Sequence, residues 1–291
     1  MTSLSESPPQ RLSTKEVAIT YRYLKGVSEK TPLVFVHGWA GSTGDWQTVC
    51  ERYTSHGESI FLYDAAGFGQ SRFNSEKAAQ EADYSLDRYV EDLKVLLDAE
   101  SVGRIRLVGH SWGGVVAMCF AARYPERVES LVAIGSAYFD PQKLLHQLLK
   151  WASYLIALIL VWSKPLLRCS SRLRQMGVRR YFHRKPTPVV AEQIMNEVLQ
   201  SDNRAIVQTL LTGYEVRFKK ICPAIKCPTL YVGSDKDVVA PLPYVTAFVP
   251  LTPQAKATIL TDCGHFPMFE QPDELISRLD QFFKETDFND H

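Results

Sequence analysis

Short apolar runs, each closed by glycine or a turn and followed by a helix-like stretch, recur along most of the chain. Residues 17–23 alternate apolar and polar positions as an edge strand does, whereas 33–36 (LVFV), 60–63 (IFLY), 105–108 (IRLV) and 131–134 (LVAI) read as buried strands. After a gap, 229–232 (TLYV) and 257–260 (ATIL) repeat the pattern. Amphipathic helices fit between the runs, for example over 86–97, with Ser85 placed as its N-cap and Asp87 in its first turn. Strands alternating with helices predict an α/β fold on a mostly parallel sheet covered on both faces.

From 137 to 220 the alternation stops, and long helical or irregular segments take over. That stretch holds fourteen Lys/Arg against five Asp/Glu, a local charge of +9, so the rest of a chain with net charge +1 carries −8. It reads as an insertion with its own surface chemistry: a helical cap at 137–220 that divides the core into 17–136 and 221–291. Residues 1–16 are polar and rich in Pro and Ser, and are expected to be a disordered tail. The chain carries no internal repeat and no low-complexity tract.

With 291 residues, 45% apolar and 22% charged, the composition is that of a globular chain and excludes disordered, fibrous and small disulfide-stapled classes. The near-neutral charge argues against a general nucleic-acid binder, which would be strongly basic. Cys50, Cys119, Cys169, Cys222, Cys227 and Cys263 lack the paired close spacing of a zinc site or a C-x-x-C motif, so free thiols are expected and no metal site is visible. The start of the chain has no apolar signal segment, which predicts a reducing, cytoplasmic setting. The pattern fixes no oligomeric state.

The strongest chemical signal is Gly109-His110-Ser111-Trp112-Gly113-Gly114, directly after the strand at 105–108 and before a helical stretch. A serine on a sharp strand-to-helix turn has a strained backbone, and glycines two residues either side remove side chains that would clash. The hydroxyl then stands clear of the sheet, facing helix N-terminal amides that favour developing negative charge. A serine needs a base, and His265, in Asp262-Cys263-Gly264-His265-Phe266-Pro267, follows the last strand at the same carboxyl edge. The third member is a carboxylate to orient that imidazole. Asp237 is preferred, with Asp235 as the alternative, because one residue of loop length exchanges which carboxylate faces the cleft. The chain order Ser111, Asp237, His265 is that of the nucleophile-elbow architecture. The backbone amides of Trp39, in the turn His37-Gly38-Trp39-Ala40-Gly41, and of Trp112 are the expected oxyanion donors. Trp39 and His110 are expected to line the substrate pocket. The other histidines read as structural or surface residues.

With these motifs the chain resembles the α/β-hydrolase-fold serine hydrolases. The resemblance also covers Asp64-Ala65-Ala66-Gly67-Phe68-Gly69-Gln70-Ser71, Pro241 four residues after Asp237, and Glu270 and Pro272 after Gly264-His265; it runs from about residue 33 to residue 272. The family's usual proline after Asp64 is replaced here by alanine. The resemblance implies hydrolysis through an acyl-enzyme on Ser111, with His265 as base and no metal or organic cofactor. Similar proteins that act as haloalkane dehalogenases or epoxide hydrolases carry aspartate at the nucleophile, which Ser111 disfavours here. The expected substrate is a moderately hydrophobic carboxylic ester, a lipid ester among the candidates. Thioesterase, acyltransferase, C–C bond hydrolase and prolyl aminopeptidase activities use the same residues, and a non-catalytic small-molecule receptor uses the same fold.

Within the cap, 151–162 (WASYLIALILVW) is apolar almost all round, so its helix is expected to be buried or immersed in lipid. At ~1.5 Å per residue it spans about 18 Å, short of the ~30 Å hydrocarbon core, which disfavours a transmembrane span. Lys164, Arg168, Arg172, Arg174, Arg179, Arg180, Arg184 and Lys185 follow with no acidic residue among them. Two readings stand side by side, a cap that rests on an anionic membrane surface or a roof over a hydrophobic pocket with a solvated basic outer face, with anionic substrates or a protein partner as the remaining alternative.

Overall fold

All seven expected strands form, within a single nine-stranded sheet. The computed structural model describes residues 8–287. The strands are β1 (Gln10–Ser13), β2 (Val17–Leu24), β3 (Leu33–Val36), β4 (Ile60–Tyr63), β5 (Arg72–Phe73), β6 (Ile105–His110), β7 (Val128–Ile134), β8 (Thr229–Ser234) and β9 (Ala255–Leu260). They are ordered β1-β2-β4-β3-β6-β7-β8-β9, with β5 on β2. From β4 to β9 every neighbour is parallel; β1, β4 and β5 are each antiparallel to β2.

Two strands depart from expectation. The tail expected at 1–16 is described only from residue 8, and there Gln10–Ser13 pairs with β2, from Gln10 opposite Tyr21 to Ser13 opposite Ala18. Its side chains are nearly all exposed, so the backbone ladder rather than apolar burial holds it, and the hydropathy pattern carries no trace of it. β5 has two residues, too few for a period to register.

The helices are α1 (Gln47–Ser55), α2 (Glu76–Glu81), α3 (Leu86–Ala99), α4 (Trp112–Arg123), α5 (Leu144–Cys169), α6 (Ser171–Arg179), α7 (Pro188–Gln200), α8 (Asn203–Glu215), α9 (Phe218–Ile221), α10 (Leu242–Thr246), α11 (Pro267–Glu270) and α12 (Pro272–Asp287). Successive strand residues face opposite sides, so each strand feeds two apolar layers. Val34 and Val36 join Tyr89, Leu93, Val116 and Phe120 of α3 and α4 on one side. Leu33 and Phe35 join Val49 and Tyr53 of α1 and Leu279 and Phe283 of α12 on the other. The one charged side chain inside the expected strand 105–108, Arg106, is 1% exposed. It is neutralised by Glu58 and donates from Nε to the Thr31 carbonyl at 2.8 Å, as a buried charge requires.

Between β7 and β8 the chain runs through α5 to α9, a helical insertion with a small core of its own formed by Leu167, Val178, Phe182, Ala191, Ile194, Met195 and Leu199. The twelve-residue apolar run at 151–162 proves to be the middle of a 26-residue helix, α5. Lys150 and Lys164 interrupt the apolar run but not the helix, because both turn toward protein partners: Lys150 to Glu215 and Lys164 to the Ser201 carbonyl. At about 39 Å, α5 is long enough to cross a membrane, so length does not exclude a span as the short run suggested.

The helix expected at 86–97 is α3, and Ser85 caps it by accepting from the Arg88 N–H. Ser85→Ala leaves that N–H without its side-chain partner and is expected to cost about 1 kcal/mol, read as a lower denaturant midpoint at unchanged slope.

Candidate active site

β6 ends at His110 and α4 begins at Trp112, leaving Ser111 alone at the corner with φ 52° and ψ −119°. A non-glycine residue in this region stores strain of order 1–3 kcal/mol and persists only where its surroundings hold it. Here the Ser111 N–H donates to Ile134 of β7 at 2.7 Å, and its carbonyl accepts from Ser136 Oγ at 2.9 Å and from the Gly114 N–H at 3.0 Å. The glycines permit the turn. A Cβ on Gly109 would lie 2.4 Å from the Gly113 carbonyl oxygen, and one on Gly113 would lie 2.2 Å from that of His37. The Trp112 N–H stands at the first position of α4, where a helix leaves its amides unpaired.

His265 Nε2 lies 3.1 Å from Ser111 Oγ, and His265 Nδ1 lies 2.8 Å from Asp237 Oδ2. The nearer carboxylate oxygen fixes the proton on Nδ1, which turns the Nε2 lone pair toward the hydroxyl. Asp237 Oδ1 accepts from the N–H groups of Val239 at 2.7 Å and Ala240 at 3.0 Å. Burial pushes the Asp237 carboxyl up. The His265 charge and hydrogen bond, together with these two amides, outweigh burial and leave it below its ordinary value, so it stays ionised. Of the two carboxylates open in the sequence, Asp237 is the one that meets the imidazole; Asp235 turns away, pairing with Lys236 at 2.9 Å and accepting from the Cys263 N–H.

His110 does not line a pocket as expected. It is 1% exposed, and its Nε2 donates to the His265 carbonyl at 2.8 Å, supporting the His265 loop from beneath. A Cβ on Gly38 would sit 2.7 Å from His110 Nδ1, so the turn before Trp39 closes over this ring. The indoles of Trp39 and Trp112 both reach the insertion: Trp39 Nε1 donates to the Ile206 carbonyl at 2.9 Å and Trp112 Nε1 to Thr212 Oγ1 at 3.2 Å. Both acceptors lie on α8.

Two supports escaped the sequence. The His265 N–H donates to the Tyr181 carbonyl at 2.8 Å, so the segment after α6 holds the histidine directly. Glu270 accepts from the Gly264 N–H at 2.8 Å and, through its other oxygen, from those of His183 at 2.8 Å and Arg184 at 3.1 Å. Glu270 stood out in the sequence by its place after Gly264-His265, but its partners in the insertion left no local signal. A separate polar cleft of about 220 Å³, lined by Arg22, Thr43, Asp64, Gln70 and Glu197, contains none of Ser111, Asp237 and His265.

Burial, then the neighbouring His265 charge, lowers His110 from 6.5 to about 3. The unfolded chain therefore takes up this proton first as pH falls, and the fold loses stability from pH ~6.5 downward until His110 itself titrates. Denaturant midpoints are expected to fall between about pH 7 and about pH 5, and His110→Gln, which keeps a donor but does not titrate, is expected to flatten that slope. Glu270→Gln removes an acceptor for at least one of three backbone amides. Hydrogen exchange at Gly264, His183 and Arg184 is expected to quicken by about tenfold or more, as the loss of a charge-assisted hydrogen bond implies.

Against known proteins, residues 31–272 match the α/β hydrolase fold family. The chain is 28% identical over 263 residues to Lipase 1 of Psychrobacter immobilis, covering 86% of this chain and 76% of the lipase. It is 25% identical over 284 residues to a proline iminopeptidase of Lactobacillus acidophilus, covering 92% and 94% of the two chains. Among solved structures, a bacterial membrane phospholipase A superposes with a TM-score of 0.76 at 24% identity, over 96% of this chain and 86% of that one. With the parallel sheet, the serine corner and a family match across most of its length, this chain belongs to the α/β hydrolase fold family.

Proposed function

We propose that this protein is a serine hydrolase that cleaves a carboxylic ester of a hydrophobic substrate through an acyl-enzyme on Ser111. The observation that carries the reading is the unbroken hydrogen-bonded line from Asp237 through His265 to a strained serine, at 2.8 Å and 3.1 Å. In the first half-reaction Ser111 Oγ attacks the ester carbonyl carbon while His265 Nε2 takes the hydroxyl proton. The carbonyl oxygen becomes an oxyanion, stabilised by the Trp39 and Trp112 N–H groups. The C–O bond to the alcohol then breaks, and His265 returns its proton to the leaving oxygen. In the second half water attacks the acyl carbon with His265 as base, the acid departs and the serine is regenerated. Asp237 stays ionised throughout and stabilises the imidazolium.

The lipase relative favours an ester, and the iminopeptidase relative raises a second reading, cleavage of an N-terminal residue. A free substrate amine needs a carboxylate to meet it, and each of the five acidic residues of the insertion is engaged elsewhere. Asp140 pairs with Lys219, Glu192 with Arg174 and Glu215 with Lys150, Glu197 accepts from Ser42, and Asp202 caps α8. That favours the ester. The insertion acts as a cap over the site, and its basic surface suits a lipid ester met at an anionic membrane surface, so we place the protein in the cytoplasm, peripheral to a membrane. Acyl transfer to an alcohol, thioester cleavage and C–C bond hydrolysis would use the same three side chains. A binding-only member of the fold would have no need of the polarised serine.

Turnover of p-nitrophenyl butyrate is expected in the parent chain and to fall on the order of 10⁴- to 10⁶-fold in Ser111→Ala. A fluorophosphonate should add to Ser111 and not to the variant. Equal rates in both proteins would remove the nucleophile assignment, and faster turnover of proline p-nitroanilide than of the ester would install the peptidase reading instead.

A further inference from the structure

α5 is an amphipathic helix turned inside out. Leu148, Trp151, Leu155, Ile159, Trp162 and Leu166 follow one another at steps of three or four residues, which places them on a single helical face. All six are exposed, Trp151 at 63% and Trp162 at 82%. The polar side chains of the helix point the other way. His146 Nδ1 accepts from the Asp140 N–H at 2.7 Å, Ser153 meets Tyr214 of α8 at 2.7 Å, and the buried Lys164 donates to the Ser201 carbonyl at 2.7 Å. Only 11% of the most apolar eighteen-residue stretch is buried. A helix that keeps its hydrogen bonding for the protein and its apolar face for the outside requires an apolar medium or partner there.

Connectivity decides how a bilayer would be met. β7 and β8 lie side by side and parallel, with Ile134 opposite Val232. The chain leaving β7 must return to the same side to form β8, which demands an even number of crossings. Among the described residues α5 is the one helix long and apolar enough to cross. It therefore cannot span and must lie flat. Charge selects the surface: residues 164–185 carry no acidic side chain, and Arg172, Arg179, Arg180, Arg184 and Lys185, just beyond the C-terminal end of α5, are exposed. Tryptophans along an apolar face and cations at its end suit the boundary between acyl chains and anionic headgroups.

The geometry points to α5 as an in-plane membrane-docking helix, seated by its outward Leu148–Leu166 face in an anionic bilayer with the basic 168–185 segment on the headgroups. This rests on the proposed membrane contact, and gives it a face and an orientation, but it does not rest on the hydrolase chemistry.

The test uses the full chain bearing Ser111→Ala, so that vesicle binding is read without turnover and its failure leaves the esterase assay untouched. Co-sedimentation with phosphatidylcholine vesicles containing phosphatidylglycerol is expected, with at least tenfold weaker binding to phosphatidylcholine alone. Adding Trp151→Glu and Trp162→Glu, both at exposed positions, is expected to weaken binding to the anionic vesicles at least tenfold, with a melting midpoint that matches the parent. Undiminished binding by that variant overturns the assignment of the face. Equal binding to neutral vesicles overturns the role of the basic segment. A soluble dimer that ignores vesicles and dissociates in the Glu variant replaces the bilayer with a second copy of this chain.

Discussion

The structure depends on one close approach, where α4 leaves β6 and crosses the end of β3. Backbone meets backbone there with no room for a Cβ on Gly109 or Gly113. Because α4 sits this low on the sheet, its first amide stands beside Ser111, and Ser111 is forced to positive φ with its hydroxyl raised. Four hydrogen bonds hold the backbone of the strained residue, one from it to Ile134 and three to its carbonyl from Ser136, Gly114 and Val115. A side chain at either glycine would push the helix outward and separate the hydroxyl from any amide that could stabilise charge beside it.

The insertion is tied to the Ser111–His265 geometry through several hydrogen bonds. Trp39 and Trp112, one in the turn after β3 and the other next to Ser111, send their indole N–H groups to Ile206 and Thr212 of α8. The His265 amide bonds to Tyr181, and Glu270 gathers the amides of Gly264, His183 and Arg184 on one carboxylate. A Cβ on Gly264 would lie 2.5 Å from the Tyr181 carbonyl oxygen, so the histidine loop and the insertion touch through bare backbone. Through these bonds the insertion reaches His265 as well as the two tryptophans. Under the proposed hydrolase reading, such coupling makes the site well formed only when the insertion is seated.

The same insertion turns its other side outward. The polar atoms that would make α5 an ordinary surface helix are used against α8, Ser201 and Asp140, which leaves an apolar surface facing away from the protein. The insertion thus has two distinct sides: one that holds the His265 backbone, and an outer one that is apolar along α5. A hydrophobic ester and an apolar docking face are physically consistent, since a lipid substrate is concentrated where the face would rest.

The sequence by itself determined what local backbone geometry and period control. Seven strands, the α3 cap at Ser85 and the serine corner were legible because each depends on residues a few positions apart. Ser111 and His265 could be paired from a distance because parallel strands deliver their following loops to one edge. Tertiary structure alone decided what depends on direction in space. Asp235 and Asp237 have the same chemistry, and only the path of the loop turns one toward His265 and the other toward Lys236. His110 adjoins Ser111 in sequence, yet it ends β6 and faces inward beneath the His265 loop. β1 is held by backbone hydrogen bonds that side-chain hydropathy does not encode. The apolar residues of α5 could equally have filled a core, and which face of a helix meets the protein is fixed by the partners that its polar side chains find.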